Sequence, residues 1–291
     1  MSTPLHPIVQ AARDAAAAAA KTSMPAPAPI VQPMQQSPGE PLAQLEPINP
    51  IVSKYLRTTK SEKAYVLIYG PPVSGKTTGA RTFPNPYIVD FDGNLPPGTP
   101  NVIPMWDDAF VDSLKPRPNP NWPACRMDLL LILYSDLARN LPAGSTIITD
   151  SLTRIETWYN IEEEARPKIL SEKGKVDTRA MWGVRLKYFD TLFTTLTSCA
   201  ANVVFISHQQ SERDEKGNIL QQLRPSLMGQ IGEKLPGYFP TVLQAQRLPN
   251  AKGGVDYVWA TQPSIIAPAR VPKPCTVPNI PQQYSELIKY L

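Results

Sequence analysis

The sequence predicts an α/β fold, a mainly parallel sheet between helices, flanked by proline-rich N- and C-terminal extensions. Three observations carry that reading. From residue 51 onward, short apolar runs alternate with segments of helical period, and strands separated by helices pair in parallel with both faces covered. At 291 residues with 42% apolar content, the chain can bury one large core, or a medium one with tails. Its 34 prolines are more than double the usual share, so much of it must be irregular.

Residues 1–50 hold prolines at 4, 7, 25, 27, 29, 33, 38, 41, 47 and 50, around the tract "AARDAAAAAAKT". Alanine favours helix, but the tract has no apolar stripe to bury, and "PAPAPIVQPMQQSPGEP" can form neither helix nor ladder. The expectation is a tail: one frayed helix, then an extended linker. A partner-binding role is the sharper alternative.

A single domain is expected over 51–265. "KAYVLIYG" reads as a buried strand entering a glycine loop, and "PYIVDFDG" as a second strand ending in two carboxylates. Residues 94–126 form a proline-rich excursion placed on the surface. "MDLLLILYSDLARNL" is helical, "GSTIITDS" a third strand, and "LTRIETWYNIEEEA" a further helix. Between Ala180 and Cys199, the spacing of Trp182, Leu186, Phe189, Phe193 and Leu196 predicts one apolar helix face. "ANVVFISHQQ" is a fourth strand. "TVLQAQRL" and "VDYVWATQ" predict a hairpin across "PNAKGG". Residues 266–291 read as a proline-rich C-terminal extension ending in a short helix.

Composition excludes little by itself. The formal charge of +4 permits an anionic partner without arguing for one. Cys125, Cys199 and Cys275 are odd in number and lack paired spacing, so reduced thiols are expected. There is no apolar run near the roughly 18 residues of a membrane helix, and "MSTPLHPIVQ" is broken twice by proline. These features lead to the expectation of a soluble, intracellular protein.

The most specific motif is "GPPVSGKTT", which satisfies G-x-x-x-x-G-K-[ST] with Gly70, Gly75, Lys76 and Thr77. The glycines let the backbone of Gly70, Pro71, Pro72, Val73, Ser74 and Gly75 curl so that its successive N–H groups can surround phosphate oxygens, Pro71 and Pro72 contributing shape but no donor. The following helix adds its N-terminal dipole at Thr77 and Thr78. Lys76 would neutralise charge on the outer phosphates, and the Thr77 hydroxyl would ligate Mg²⁺. The motif follows an apolar strand and precedes a helix, the context that gives it meaning. The expected cofactors are ATP and magnesium.

Three strand ends supply the remaining candidates. Asp150 closes "STIITD", where a carboxylate in such a fold holds magnesium through water; the alternative is a cap for the helix from Leu152. Ser151 follows, so no glutamate base stands next to it. Asp92 in "IVDFDG" is the candidate to orient or deprotonate the attacking water, with a turn carboxylate before Gly93 as the alternative. His208, at the tip of "VVFISHQQ", is the candidate sensor of the outermost phosphate, or else an ordinary satisfied histidine.

In this order and spacing, "GPPVSGKTT", "IVDFDG", "TDSLT", "MWGVRL" and "VVFISHQQ" resemble the RecA-type P-loop NTPase core. More narrowly, they resemble phage-encoded Sak-type ATPases of single-strand annealing and recombination, over roughly residues 60–260. That resemblance implies a RecA-like core with the "VVFISH" strand between the P-loop strand and the Asp150 strand. It implies DNA-stimulated ATP hydrolysis on single-stranded DNA in phage recombination, annealing or replication, in the host cytoplasm. It also implies a homo-oligomer, ring or filament, working beside a single-strand-binding or recombination protein, with nucleotide at the subunit interface. Arg247, Arg270 and Lys273 are candidates for a cation acting on a neighbour's nucleotide; Arg270 is the choice among the three, with a solvated loop charge as an equal alternative. The family places Asp92 where others carry glutamate, and His208 where RecA has glutamine.

The resemblance also implies DNA-binding loops near 164–180 and 211–236. The first carries Arg166, Lys168, Lys173, Lys175 and Arg179 against Glu164, Glu172 and Asp177, a net +2. In the second, Arg213, Lys216, Arg224 and Lys234 cancel Glu212, Asp214, Glu215 and Glu233. DNA affinity rests on phosphate neutralisation, so composition supports Lys168, Lys173, Lys175, Arg179, Arg213 and Arg224 as DNA ligands only modestly. Two rivals stand: an ATP-dependent switch that binds protein partners without DNA, and a small-molecule kinase, for which no arginine-rich lid is evident.

Overall fold

The structure, a computed structural model, describes residues 63–113, 126–166, 168–171, 174–197, 199–210, 223–264 and 267–291. The expected tail over 1–50, Cys125, Lys173, Arg213 and Lys216 lie outside the described residues.

The described chain is mixed α/β with a mostly parallel central sheet between helices, the RecA-like arrangement. Its strands are β1 (Tyr65–Gly70), β2 (Pro86–Asp90), β3 (Val102–Pro104), β4 (Thr146–Asp150), β5 (Asn202–Gln210), β6 (Arg224–Pro225), β7 (Thr241–Pro249), β8 (Val255–Ala260) and β9 (Asn279–Pro281). The helices are α1 (Lys76–Ala80), α2 (Asp108–Ser113), α3 (Arg126–Asn140), α4 (Leu152–Ala165), α5 (Thr178–Thr195), α6 (Gly229–Lys234) and α7 (Tyr284–Leu287). Across the sheet the order is β3-β2-β4-β5-β1-β7-β8-β9. β3, β2, β4, β5, β1 and β7 run parallel; β8 is antiparallel to β7, and β9 is antiparallel to β8 and so returns to the common direction. β5 therefore lies between the phosphate-loop strand and the Asp150 strand, as the resemblance implied.

Alternation along the strands sorts two cores onto the two faces. From β1, Tyr65, Leu67 and Tyr69 join one cluster with α3, α4 and α5, through Tyr134, Tyr159, Phe189 and Phe193. Val66 and Ile68 point to the other cluster, with Phe83, Trp259, Ile280 and Leu287. The predicted apolar face of α5 is met at Phe189, Phe193 and Leu196, while Trp182 is 38% exposed. Polar tips of buried tyrosines find partners: Tyr65 donates to Phe193 O at 2.5 Å, and Tyr134 pairs with Thr149 Oγ1.

One buried ion pair fastens two of the helices. Arg185 Nη2 on α5 donates to Glu156 Oε1 on α4 at 2.7 Å, and both side chains are almost fully buried. Burial pushes the Glu156 carboxyl upward, and the Met228 N–H and the guanidinium oppose that. Met228 N donates to both Glu156 oxygens, at 2.9 and 3.0 Å, so the pair also anchors the entry to α6.

The boundary expected at 265 does not part the sheet. β9 pairs with β8, and Leu287 beyond it is fully buried, so the supposed extension supplies the sheet's last strand and part of its second core. The proline content misled because Pro281 sits on an edge strand, where a missing N–H costs no ladder bond.

Candidate functional site

The parallel strands end together at one rim, and the candidate side chains stand on their tips. Register sets the neighbours: Gly70 opposes His208, and Asp90 opposes Asp150. In open parallel sheets this rim is where ligands bind.

The loop from Gly70 to Gly75 is shaped by two glycines. A Cβ at Gly70 would lie 2.5 Å from Ala245 O on β7, so the loop leaves the sheet too close for any side chain. Gly75 has φ +83°, and a Cβ there would meet Gln282 Oε1 at 2.5 Å. Lys76, only 7% exposed, donates through Nζ to the carbonyls of Gly70 at 3.0 Å and Pro71 at 2.7 Å. Burial lowers its pKa, and the charges of Asp150 and Asp92 act against that. Thr77 Oγ1 donates to Asp150 Oδ2 at 2.6 Å, placing a hydroxyl and a carboxylate side by side.

The acidic tips resolve into different positions. β2 ends at Asp90, which is buried; its Oδ1 accepts from the N–H groups of Asp92 at 3.0 Å and Gly93 at 3.1 Å. The turn carboxylate before Gly93 is therefore Asp90. Its burial raises its pKa, against the lowering effect of those two N–H groups. Asp92 points elsewhere, accepting from Ser151 Oγ at 3.3 Å and standing 3.8 Å from His208 Nε2. Likewise the cap of α4 is Ser151, whose side chain accepts from Arg154 N, and not Asp150. Burial, ahead of every other cause, pushes the Asp150 carboxyl up to about 6. The Thr77 hydroxyl and the Lys76 charge work against this, while Asp92 and Asp90 add to it.

His208 is held by its backbone. Its N–H donates to Thr153 Oγ1 at 3.0 Å, and its carbonyl accepts from Ser226 N at 2.7 Å. Thr153 Oγ1 in turn donates to Ser226 O at 3.2 Å. The strand tip is thereby stitched to Ser226, which follows β6.

These groups line one cleft of about 880 Å³, within the range of small-molecule sites. Pro72 to Gly79 form its floor, with Asp90, Asp92, Asp150 and His208 at one end. Arg81, Leu95, Pro96, Tyr257, Gln282 and Gln283 are among the other lining residues. None of these last six was singled out from the sequence. They come from stretches without a motif, and only the folding of β8 and β9 against the loop brings the last three there.

Other expectations fare differently. Arg270 is not available to reach a neighbour: its guanidinium donates to the carbonyls of Pro236 and Phe239, and its backbone pairs with Val242. It fixes the short 3₁₀ turn Leu235–Tyr238 in its own chain. Lys168, Lys175 and Arg179 are exposed on and beside a small hairpin closed by the bridge Leu170↔Val176. Arg224 pairs with Glu233 at 3.3 Å. None of these four lines the cleft. Among the described residues, no group of three or more His, Cys, Asp or Glu is placed to hold a metal. Thr77 and Asp150 do offer two adjacent hard oxygens, the donor type magnesium takes alongside water and phosphate. No helix among the described residues is long and apolar enough to cross a membrane.

Comparison with known proteins adds the following. The model of a family described as "AAA domain" matches residues 62–270. Among solved structures, the chain is similar to a crystal structure of the RadB recombinase, with 16% identity and a TM-score of 0.31, over 68% of this chain and 87% of that one. No curated protein matches the sequence.

Proposed function

This chain belongs to the AAA domain family, and from that premise we propose that it binds and hydrolyses ATP with magnesium and acts on single-stranded DNA as a homo-oligomer. One observation carries the reading: Lys76, Thr77, Asp150, Asp92 and His208 converge on a single cleft floored by the phosphate loop. Lys76 is a buried cation whose nearest acceptors are backbone carbonyls, ready to turn to phosphate oxygens. Magnesium, held by Thr77 directly and Asp150 through water, would supply charge neutralisation at the outer phosphates. Asp92 is the group to orient and accept a proton from the attacking water, with Ser151 fixing one carboxylate oxygen. His208, beside Asp92, reads the outer phosphate and passes its position to Ser226 through Thr153.

The DNA assignment rests on two supports. Exposed Lys168, Lys175 and Arg179 lie near the bridge Leu170↔Val176, whose two side chains are exposed apolar groups able to lie against bases. The motif order resembles that of the Sak-type annealing ATPases, whose setting is phage recombination. Residues 1–50 are proposed as a tail that hydrolysis does not need.

ATP turnover with and without single-stranded DNA tests the reading. Stimulation supports it. Turnover indifferent to DNA favours a switch for protein partners, and transfer of phosphate to an added acceptor would make the chain a kinase. A purified chain that fails to bind ATP ends the proposal outright.

A further inference from the structure

The phosphate loop lies against a residue from the far end of the chain. Gln282, just past β9 and only 8% exposed, donates from one amide nitrogen to Ser74 O and to Val258 O, each at 2.9 Å. Two residues on, Tyr284 N donates to Thr82 Oγ1 at 2.8 Å, and that hydroxyl donates to Gly79 O. The C-terminal segment therefore grips α1 at both ends.

α1 needs such a grip. It spans five residues, has no side-chain hydrogen bond at its N-cap Gly75, and has no acidic residue in its first turn. A helix this short does not persist on its own hydrogen bonds. The fit is also tight: a Cβ on Gly79 would come within 2.8 Å of Trp259 and 3.1 Å of Gln282 Cβ.

Resting on the nucleotide-binding reading above, we propose that Gln282 is a positioning residue for the phosphate loop. The Ser74–Gly75 peptide is planar and trans, so its C=O and N–H point in opposite directions. Holding Ser74 O against Gln282 turns the Gly75 N–H the other way, toward the interior of the loop, where a phosphate oxygen would lie. The amide bridges two carbonyls, one on the loop and one on β8, so the sheet edge sets the loop's orientation. Gln282 touches the loop's backbone, and its proposed action on phosphate runs through that contact.

The test replaces Gln282 by Met, which keeps the length and apolar volume of the side chain but donates nothing. Gln282→Glu is the second variant, isosteric and unable to donate when ionised. A control, Leu287→Ala, removes a fully buried side chain from the same segment without contact to the loop's hydrogen bonds. Dissociation constants for ATP and ADP, kcat, KM and thermal midpoints are measured well below every midpoint. The expected result is that Gln282→Met weakens ATP and ADP alike by about tenfold, the scale of one N–H to phosphate hydrogen bond lost when the loop is misaimed. KM should rise with it and kcat change little, while Leu287→Ala lowers the midpoint and leaves affinity within about twofold. If both Gln282 variants lose thermal stability but keep their affinity, Gln282 is merely structural and the proposal fails. Equal weakening by Leu287→Ala also overturns it. An unaltered chain that binds no nucleotide would instead remove the reading on which the proposal rests.

Discussion

Replacing Asp150 by Asn should stabilise the nucleotide-free protein at neutral pH while destroying its magnesium-dependent turnover. The carboxyl is 6% exposed, and its pKa is pushed from 3.8 up to about 6, mainly by burial. Because the folded-state value lies above the unfolded one, its contribution to stability is fully present below pH 3.8 and is withdrawn as pH rises through about 6. At about 1.4 kcal/mol per tenfold change in proton affinity, ionising the buried carboxyl costs about 3 kcal/mol of folding stability by pH 8. Asparagine does not ionise, and its oxygen can still accept from Thr77. Between pH 4 and pH 8, the stability of Asp150→Asn relative to the parent should therefore climb by about 2–3 kcal/mol. Urea titrations of both proteins, free of metal and nucleotide, across that range measure the gap. A gap that stays level, or that moves in favour of the parent, would refute the idea that Asp150 is a carboxylate held in place for a cation. Loss of magnesium-dependent hydrolysis in the same variant completes the expectation.

Lys76→Ala should reduce ATP turnover by about a hundredfold or more, since the other basic side chain lining the cleft, Arg81, stands at the far end of the helix that Lys76 begins; steady-state phosphate release measures it. Asp92→Asn should leave ATP affinity within about threefold and cut kcat by about a hundredfold, the usual scale of a lost general base. Unchanged turnover would remove Asp92 from that role. Glu156→Ala strands the buried Arg185 guanidinium and unties Met228 N, so it should destabilise the fold by about 3–5 kcal/mol, read as a shifted denaturant midpoint at constant slope.

Much of the core was legible because its signals are local. "YVLIYG", "YIVD", "TIITD" and "NVVFIS" are short apolar runs, and each became a buried strand of the parallel sheet. "TVLQAQRL" and "VDYVWA" became the expected hairpin. The phosphate loop is a contiguous motif, and its glycines could be assigned backbone duties from spacing alone. What escaped the sequence is whatever depends on contacts between distant segments. Whether Asp90 or Asp92 served as the turn carboxylate could not be decided by a two-residue spacing, because the strand stops at Asp90 and the chain bends there. The cap of α4 fell to Ser151 for a similar reason, one position away from the candidate. Arg270 looked like a free basic loop residue, but the carbonyls that occupy it lie more than thirty residues earlier. Gln282 lay in a proline-rich stretch with no motif, and its partner Ser74 is 208 residues away.

Charge explains why the two halves of the cleft must be built so differently. Its charged lining is Lys76 and Arg81 against Asp90, Asp92 and Asp150, more acid than base for a site meant to take a polyanion. Side-chain charge alone would repel the phosphates, so attraction must come from the backbone N–H groups of the loop and the first turn of α1. Such dipoles act only when they are rigidly aimed, because a loose loop would satisfy them with water. In the proposed function the acids have the opposite task, presenting a cation and a water to the outer phosphate; burial first, then the charges of Asp92 and Asp90, make Asp150 reluctant to ionise. Under the proposed function, such a cleft would gain affinity from backbone geometry and selectivity for the metal-bound nucleotide from its carboxylates. On that reading the Gln282 amide that holds Ser74 O is as much a part of the site as Lys76, because it keeps those dipoles aimed.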